Sequence, residues 1–267
     1  MLIINSAQNS LVKNLVRLQK SGARKKQGLF LIDGRREIEL ALRSGWEIAT
    51  LVYCPELLDG QAEGAKQLGL ATEKIKAVTP AIFKKLCYKE NPDGFLAVAQ
   101  MRRASLADID LGGNPLVVVL EGVEKPGNLG AILRTAAAAG VAGIIINDSQ
   151  TDLYNPNVIR ASEGQIFAQP LAVATTQETV AWLADHKIKS FAAATGSAKK
   201  YTDSNFSGPA AVILGSEADG LSPAWLEAAD YRVKIPMRAG IDSLNVSVAA
   251  AVIIFEALRQ RGSKLVS

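Results

Sequence analysis

Polar residues stand at the start of a strongly apolar helix near the C-terminus. A polar glycine loop, Arg238 to Asp242, follows a buried strand, and the next helix is predicted to open on Ser243. From Leu244 to Leu258 this helix is apolar almost all round, which is typical of burial on several sides. Asn245, Ser247 and the free N–H groups of the helix start favour binding of a small polar ligand. A capping serine with satisfied polar neighbours explains the segment equally well.

Two earlier segments also place a glycine-containing loop between a strand and a helix. In the first, strand Val117–Leu120 precedes such a loop, an alanine-rich helix from about Leu129 to Ala139, and strand Gly143–Asn147. In the second, strand Ala211–Leu214 precedes the loop 215–220. The pattern predicts α/β architecture with a mainly parallel sheet in this part of the chain.

Four motifs follow one another between about residue 115 and the C-terminus. They are Asn128-Leu129-Gly130 with Arg134-Thr135-Ala136, Asn155-Pro156 with Arg160-Ala161-Ser162, Gly215-Ser216-Glu217 with Gly220-Leu221-Ser222, and Ile235-Pro236-Met237 with Ser243-Leu244-Asn245-Val246-Ser247. In this order they resemble the SpoU/TrmH family of RNA ribose 2′-O-methyltransferases, part of the knotted SPOUT methyltransferases. One such motif is weak, whereas four in register are specific. Glu163 departs from the family pattern, because a small or hydrophobic residue often stands there.

The resemblance implies a reaction, a cofactor and a fold. It implies methyl transfer from S-adenosylmethionine to a ribose 2′-hydroxyl, a homodimer, and a deep C-terminal trefoil knot. Pattern reasoning alone would never propose the knot, because threaded chains are almost absent from proteins. The cofactor contacts that the resemblance implies are Thr195, Gly196, Leu214, Gly215, Glu217, Ile235, Met237, Ser243, Leu244 and Asn245.

Arg134 matches the active-site arginine of the family. Because arginine stays protonated in proteins, it is a poor general base. Its expected role is electrostatic: to grip the phosphate beside the target ribose and to favour the alkoxide as the hydroxyl loses its proton. Asn128 and Glu217 are expected to position Arg134 or the target nucleotide. Ser243 and Asn245 are expected to serve the cofactor carboxylate or the hydroxyl.

Positive charge is concentrated in the first part of the chain. Residues 1–105 hold 17 Lys and Arg against 10 Asp and Glu, whereas residues 106–267 hold 13 against 16. A basic cluster of this kind is expected for binding RNA phosphates, although a charge run is usually a solvated helix face. The predicted RNA-binding residues are Lys13, Arg17, Arg24, Lys25, Lys26, Arg35 and Arg36.

Alternating helices and strands predict a small α/β RNA-binding domain over residues 1–105. Its predicted elements are helix Ala7–Lys20, a basic turn Ser21–Gln27, strand Leu29–Ile32, helix Arg36–Arg43, strand Thr50–Tyr53, helix Gln61–Leu68, strand Ile75–Val78, helix Ala81–Leu86 and strand Gly94–Ala99. A linker is predicted at 106–114 and the methyltransferase domain at 115–267. In the family, such an N-terminal domain is typically a ribosomal-protein-like module. Structured ribosomal RNA is therefore the first expected substrate and transfer RNA the second.

Composition disfavours several other classes of protein. No secretory signal is expected, and the longest apolar stretch is shorter than the ~18 residues of a membrane span. Cys54 and Cys87 lie far apart and His186 is the single histidine. No metal site or disulfide framework is therefore expected, and reduced thiols indicate a cytoplasmic location.

Two alternative functions remain open. Asp148 follows a glycine-containing loop by about 20 positions, as in dinucleotide-binding enzymes. The loop Gly127-Asn128-Leu129-Gly130, however, lacks the G-x-G-x-x-G spacing, and this interpretation leaves the later motifs unexplained. The second alternative is a family member that binds RNA without catalysis.

Overall fold

The computed structural model describes residues 3–58, 68–148 and 151–262 of the chain. The chain divides into two compact units, each with its own sheet. The first unit comprises Met1–Arg102 together with Asp152–Ala168, and the second comprises Arg103–Thr151 together with Gln169–Ser267. The predicted α/β fold class is confirmed. No helix in the described ranges is long and apolar enough to cross a membrane.

Strands and helices alternate along most of the chain. The strands are β1 (Ile3–Ile4), β2 (Leu29–Asp33), β3 (Ile48–Tyr53), β4 (Ile75–Val78), β5 (Phe95–Gln100), β6 (Leu116–Glu121), β7 (Gly143–Asn147), β8 (Leu171–Ala174), β9 (Lys189–Ala193), β10 (Lys199–Lys200), β11 (Ala210–Leu214) and β12 (Tyr231–Lys234). The helices are α1 (Ser10–Leu18), α2 (Ser21–Gln27), α3 (Arg35–Arg43), α4 (Pro80–Leu86), α5 (Pro126–Ala139), α6 (Pro156–Ala161), α7 (Thr176–Asp185), α8 (Pro223–Ala228) and α9 (Val246–Gln260). The predicted helix Gln61–Leu68 lies almost entirely outside the described residues.

The first unit contains a mixed five-stranded sheet in the order β1-β4-β3-β5-β2. Strand β4 pairs in parallel with β1 and β3, whereas β5 pairs antiparallel with β2 and β3. Helices α1 and α4 pack on this sheet through Leu15, Leu18 and Phe83, which are fully buried. The predicted strands of this part of the chain are confirmed to within two residues.

The segment Asp152–Ala168 completes the first unit, although it lies between β7 and β8 in sequence. The ring of Tyr154 stacks on Phe30 with centroids 4.4 Å apart. The indole N–H of Trp46 donates a 2.9 Å hydrogen bond to the carbonyl of Phe167. This segment therefore supplies part of the unit's buried aromatic cluster.

The basic segment Ser21–Gln27 is a helix, so the predicted turn is wrong. Three of its residues, Arg24, Lys25 and Lys26, lie in the last turn, where positive charge interacts favourably with the helix dipole. The helix ends at Gly28, which adopts the left-handed conformation with φ +66°. A run of charged residues with good helix propensity was thus mistaken for a loop.

The second unit contains a seven-stranded sheet in the order β10-β12-β9-β11-β6-β7-β8, with every described strand pair parallel. All six residues of β6 are buried, as expected for a central parallel strand covered on both faces. Ile109, in the predicted linker 106–114, is 7% exposed and belongs to the core of this unit. A Cβ on Gly143 would lie 2.8 Å from Ile109, so this segment is tightly packed.

Helix α9 begins at Val246 rather than at Ser243. Asn245 is its N-cap, because its Oδ1 accepts a 2.9 Å hydrogen bond from the N–H of Ser247. One side of α9 is buried, but Val248 and Phe255 are 48% and 42% exposed. The prediction of burial on several sides therefore holds only in part.

Candidate active site

A pocket of about 1140 Å³ lies in the second unit. Its walls include the loops that follow β9, β11 and β12, three neighbouring parallel strands whose carboxyl ends share one edge of the sheet. All of the predicted cofactor contacts line this pocket: Thr195, Gly196, Leu214, Gly215, Glu217, Ile235, Met237, Ser243, Leu244 and Asn245. The structure thus brings together residues that lie up to 50 positions apart, while their roles stay predictions.

The loop after β11 is closed by its own backbone. Ser216 and Gly220 exchange two hydrogen bonds, with N–H to carbonyl oxygen distances of 2.9 and 3.2 Å. A Cβ on Gly215 would lie 2.1 to 2.4 Å from backbone atoms of Gly220 and Leu221. Only glycine fits at position 215, which explains its place in the motif.

A buried carboxylate fixes the end of the same loop. Glu121, the last residue of β6, is 7% exposed. Its carboxylate accepts hydrogen bonds from the N–H and the hydroxyl of Ser222 at 2.8 and 2.7 Å. Ser222 also caps α8. Because a buried carboxylate needs such partners, these bonds tie the pocket loop to the central strand.

Three of the predicted catalytic residues form a hydrogen-bonded chain. The side-chain amide of Asn245 donates to Asn128 Oδ1 at 3.2 Å, and the amide of Asn128 donates to Glu217 Oε1. Burial raises the pKa of Glu217, but hydrogen bonds, that from Asn128 foremost, outweigh burial and leave the pKa below its ordinary value. Glu217 is therefore an anion at neutral pH, oriented by Asn128.

Arg134 lies on α5, the helix that also carries Asn128 near its start. Its side chain is exposed, and Arg134 is not among the residues that line the pocket. Ser243 does line the pocket, in the loop before α9. The structure therefore gathers Asn128, Glu217, Ser243 and Asn245, and it places Arg134 further along α5.

Two pocket residues lack the contacts that their side chains usually make in a folded protein. The hydroxyl of Ser197 is buried, with the residue 7% exposed, and among the described residues it has no hydrogen-bond partner. Leu244 is 37% exposed although it is a large apolar residue. An unsatisfied hydroxyl and an exposed leucine beside one cavity fit a ligand with both polar and apolar surface.

The predicted RNA-binding residues lie in the first unit. Lys13 and Arg17 are exposed one turn apart on α1, and Lys25 and Lys26 are exposed on α2. They form a solvent-facing basic surface, as the prediction requires.

The three remaining arginines of that prediction have protein partners. Arg35 donates a 2.7 Å hydrogen bond to Glu39, and Arg36, which is 67% exposed, pairs with Glu163 at 2.7 Å. Arg24 is only 2% exposed, because its guanidinium bonds to Asp152 and to two backbone carbonyls. Arg24 cannot contact RNA, and this part of the prediction is wrong.

Sequence reasoning missed several residues of the pocket. Ser197 directly follows Thr195-Gly196, so its adjacency to a motif was an available signal. Arg232 and Lys234 alternate along β12 and also line the pocket, but no motif marked them. The loop after β6 contributes Lys125, whereas Gly127 and Gly130 are not among the lining residues. This placement does not support a dinucleotide site at that glycine loop.

Two protein-family models match the chain. The model of the SpoU rRNA methylase family matches residues 115–255, and the model of the MRM3-like substrate binding domain matches residues 9–97. The first match spans more than half of the chain and includes the pocket, and the second includes the exposed basic surface of α1 and α2.

Similar proteins align over nearly the whole chain. The 23S rRNA (uridine(2479)-2′-O)-methyltransferase of Streptomyces viridochromogenes is 34% identical over 250 residues, covering 89% of this chain and 85% of the relative. A crystal structure of an RNA 2′-O ribose methyltransferase is 38% identical with a TM-score of 0.85, covering 98% of this chain and all of the other. The AdoMet-bound rRNA methyltransferase of Sinorhizobium meliloti is 30% identical with a TM-score of 0.87, covering 97% of both chains.

Proposed function

The chain belongs to the SpoU rRNA methylase family, and from this premise we propose that it methylates a ribose 2′-hydroxyl in large-subunit ribosomal RNA. The observation that carries the proposal is the convergence of the motif residues on one pocket. The ten expected cofactor contacts line it, and Asn128 bridges two of them by hydrogen bonds. Ribosomal RNA is favoured over transfer RNA because the Streptomyces relative is named for 23S rRNA.

The pocket suits S-adenosylmethionine, which supplies an electrophilic methyl group when bound. Leu214, Ile235 and Leu244 offer apolar walls for its adenine ring. The unsatisfied hydroxyl of Ser197 offers a hydrogen bond to a polar group. The carboxylate of Glu217 complements a ligand that carries positive charge on sulfur and nitrogen.

Arg134 is assigned to the ribose and not to the cofactor. Its exposed side chain, outside the pocket lining, suits contact with a phosphate of the incoming RNA. Its positive charge favours the alkoxide that forms as the 2′-hydroxyl loses its proton. Asn128, on the same helix, orients Glu217 and is a positioning residue.

The apolar patch on α9 supports a homodimer. Val248 and Phe255 are two turns apart on α9 and are both exposed, and a second copy of the chain would bury them. We expect Val248→Glu combined with Phe255→Glu to convert a dimer into a monomer in analytical ultracentrifugation. An unchanged sedimentation coefficient would place the dimer contact elsewhere.

The proposal also includes a trefoil knot in the second unit and a cytoplasmic location. The knot is supported by the resemblance and by the convergence of the loops after β9, β11 and β12. The location is supported by the free thiols of Cys54 and Cys87, since disulfides are rare in the cytosol.

Methyl transfer tests the reaction directly. Unmodified total RNA is incubated with the protein and S-adenosylmethionine tritiated on the methyl group, then fractionated by size and hydrolysed in alkali. We expect label in an alkali-resistant dinucleotide from the large ribosomal RNA, because a 2′-O-methyl group blocks cleavage. Label confined to transfer RNA would refute the substrate, and label in bases would refute the reaction.

Two variants of one residue test the role of Arg134 in that assay. Arg134→Ala removes the charge, and Arg134→Lys keeps the charge but loses the planar fork that binds phosphate in a bidentate manner. We expect turnover to fall by about 10² or more for alanine, as for loss of a donor to a developing oxyanion, and less for lysine. Near wild-type turnover of Arg134→Ala would refute the assignment.

A further inference from the structure

Three positively charged side chains lie together on one face of the sheet edge in the second unit. Strand β10 is the edge strand, and Lys200 pairs in parallel register with Lys234 of β12. Arg232 lies two residues before Lys234, and alternate residues of a strand share one face. Lys199 belongs to the opposite face, where its ammonium lies 5.0 Å from the ring of Tyr231. We call Lys200, Arg232 and Lys234 the edge strip.

The edge strip lacks counter-charges among the residues that the structure describes. In the described parts of the chain, no carboxylate forms an ion pair with any of its three side chains. Like charges placed directly opposite on a sheet are destabilising. A group of mutually repulsive cations without counter-charges among the described residues indicates a site for an anion.

An anion bound by the edge strip would lie beside the pocket. Arg232 and Lys234 line the pocket, as does Lys199 from the opposite face, whereas Lys200 pairs with Lys234 and lies outside the lining. The acidic residues of the pocket, Glu217 and Asp242 among them, come from the loops after β11 and before α9. Basic and acidic side chains therefore enter the pocket from different elements.

We propose that the edge strip binds the phosphate backbone of the RNA strand next to the methylated ribose, a role that rests on the proposed function. The cofactor is the less suitable ligand for three cations, because its sulfonium and ammonium groups outweigh its carboxylate and give it a net positive charge. An RNA strand carries one negative charge per nucleotide and matches a row of cations. The edge strip thus supplies, beside the pocket of the second unit, positive charge that matches the RNA backbone.

RNA binding measured against salt concentration tests the edge strip. Filter binding with unmodified 23S ribosomal RNA transcribed in vitro is run for wild type, Lys200→Ala, Lys200→Glu and Lys234→Ala, each with saturating S-adenosylmethionine. We expect each loss of a cation to weaken binding several-fold, and Lys200→Glu to weaken it most. The slope of log affinity against log salt should fall by about 0.7 to 0.9 per cation removed.

A matched control separates this effect from a general loss of charge. Lys187 is an exposed lysine of the same unit in a left-handed conformation, φ +55°, which asparagine also tolerates. Lys187→Asn removes one positive charge and should leave the salt slope unchanged. If Lys200→Ala alters RNA binding no more than Lys187→Asn, the proposal is overturned.

Cofactor affinity, measured by calorimetry without RNA, distinguishes the remaining outcomes. It should be unchanged in Lys200→Ala, because Lys200 lies outside the pocket lining. A loss of cofactor affinity with intact RNA binding would assign the edge strip to the cofactor and refute the proposal. Strip-dependent RNA binding by a wild-type protein that transfers no methyl group would support the edge strip and refute the proposed function instead.

Discussion

Arg24 and Asp152 form a buried ion pair although 128 positions separate them in the sequence. Nε and Nη2 of Arg24 donate to the same carboxylate oxygen at 3.0 and 2.6 Å. Its Nη1 donates to the carbonyls of Leu18 and Gln19 at 2.9 and 2.8 Å. The guanidinium thus holds the end of α1, the body of α2 and the segment Asp152–Ala168 in one arrangement.

Asp152→Ala should destabilise the protein strongly, because it leaves the buried Arg24 guanidinium without its counterion. Breaking a buried pair in this way costs about 3–5 kcal/mol, and urea unfolding followed by circular dichroism measures the loss. Arg36→Ala is the matched control, since it breaks the exposed pair with Glu163 and should cost under about 1 kcal/mol. Similar losses for the two variants would contradict a structural role for Arg24.

Asn128→Ala should shift the pH dependence of methyl transfer. Hydrogen bonds to the carboxylate, that from Asn128 foremost, hold the pKa of Glu217 below its ordinary value against the opposing effect of burial. Without that donor the pKa of Glu217 rises, so the acid limb of turnover should move to higher pH. Asn128→Asp, which cannot donate when ionised, should move it at least as far. If the acid limb of Asn128→Ala lay at the same pH as that of wild type, whatever the maximal turnover, the two residues would not be coupled.

Ser197→Ala should change two measurements in opposite directions. The buried hydroxyl has no partner among the described residues, so its removal should raise the melting temperature of the cofactor-free protein. If the hydroxyl bonds to the cofactor, the affinity for S-adenosylmethionine should fall about two- to tenfold, as for one hydrogen bond. Thermal shift and calorimetry measure the two effects. A higher melting temperature with unchanged affinity would remove Ser197 from the cofactor site.

Asp33→Asn should remove a pH-dependent loss of stability in the first unit. Burial raises the pKa of Asp33 from its ordinary 3.8, and the N–H donors of Tyr88 and Lys89 offset burial only in part. When the pKa of a carboxyl is higher in the folded than in the unfolded protein, the folded protein holds the proton more tightly. The unfolding free energy therefore falls as pH rises from the unfolded-state pKa through the folded-state pKa. The difference in unfolding free energy between the variant and wild type should therefore shift in favour of the variant as pH increases above about 4. A constant difference across this range would contradict the shift.

Glu163→Gly should be more stable than Glu163→Ala, because both variants lose the carboxylate and only glycine relieves the backbone. Glu163 has a φ of +50°, a conformation that costs a non-glycine residue about 1 kcal/mol. Its carboxylate pairs with the largely exposed Arg36 at 2.7 Å, and this pair is lost in both variants. Glu163→Ala keeps the strained backbone and loses the pair, so it should be the less stable variant in urea unfolding. The reverse order would contradict the backbone strain.

Local sequence patterns predicted the secondary structure well where apolar runs and glycine stops were clear. The apolar runs of β6 and β11 and the glycine stop at Gly140 lie where the sequence indicated. The pocket residues were predicted from the short motifs that carry the family resemblance, and Gly215 is fixed by sterics within its own loop. These are features that a short stretch of sequence determines.

Long-range pairing was not predictable in the same way. Arg24 has the sequence context of an RNA-binding arginine, and only its partner Asp152, far along the chain, makes it buried. Nothing near Lys200 indicates that the register of β10 sets it beside Lys234. The residue type alone gives the charge of a side chain, whereas its exposure and its neighbours depend on how distant parts of the chain fold together.

The segment Asp152–Ala168 makes the first unit discontinuous in sequence, and this limits modular exchange. A protein cut after Arg102 would leave Phe30 and Trp46 without Tyr154 and Phe167, and Arg24 without its counterion. A chimera that exchanges only the first hundred residues between relatives would therefore have to carry this later segment as well. In this protein the first unit depends on two separated stretches of chain, so sequence change in one stretch is constrained by the other.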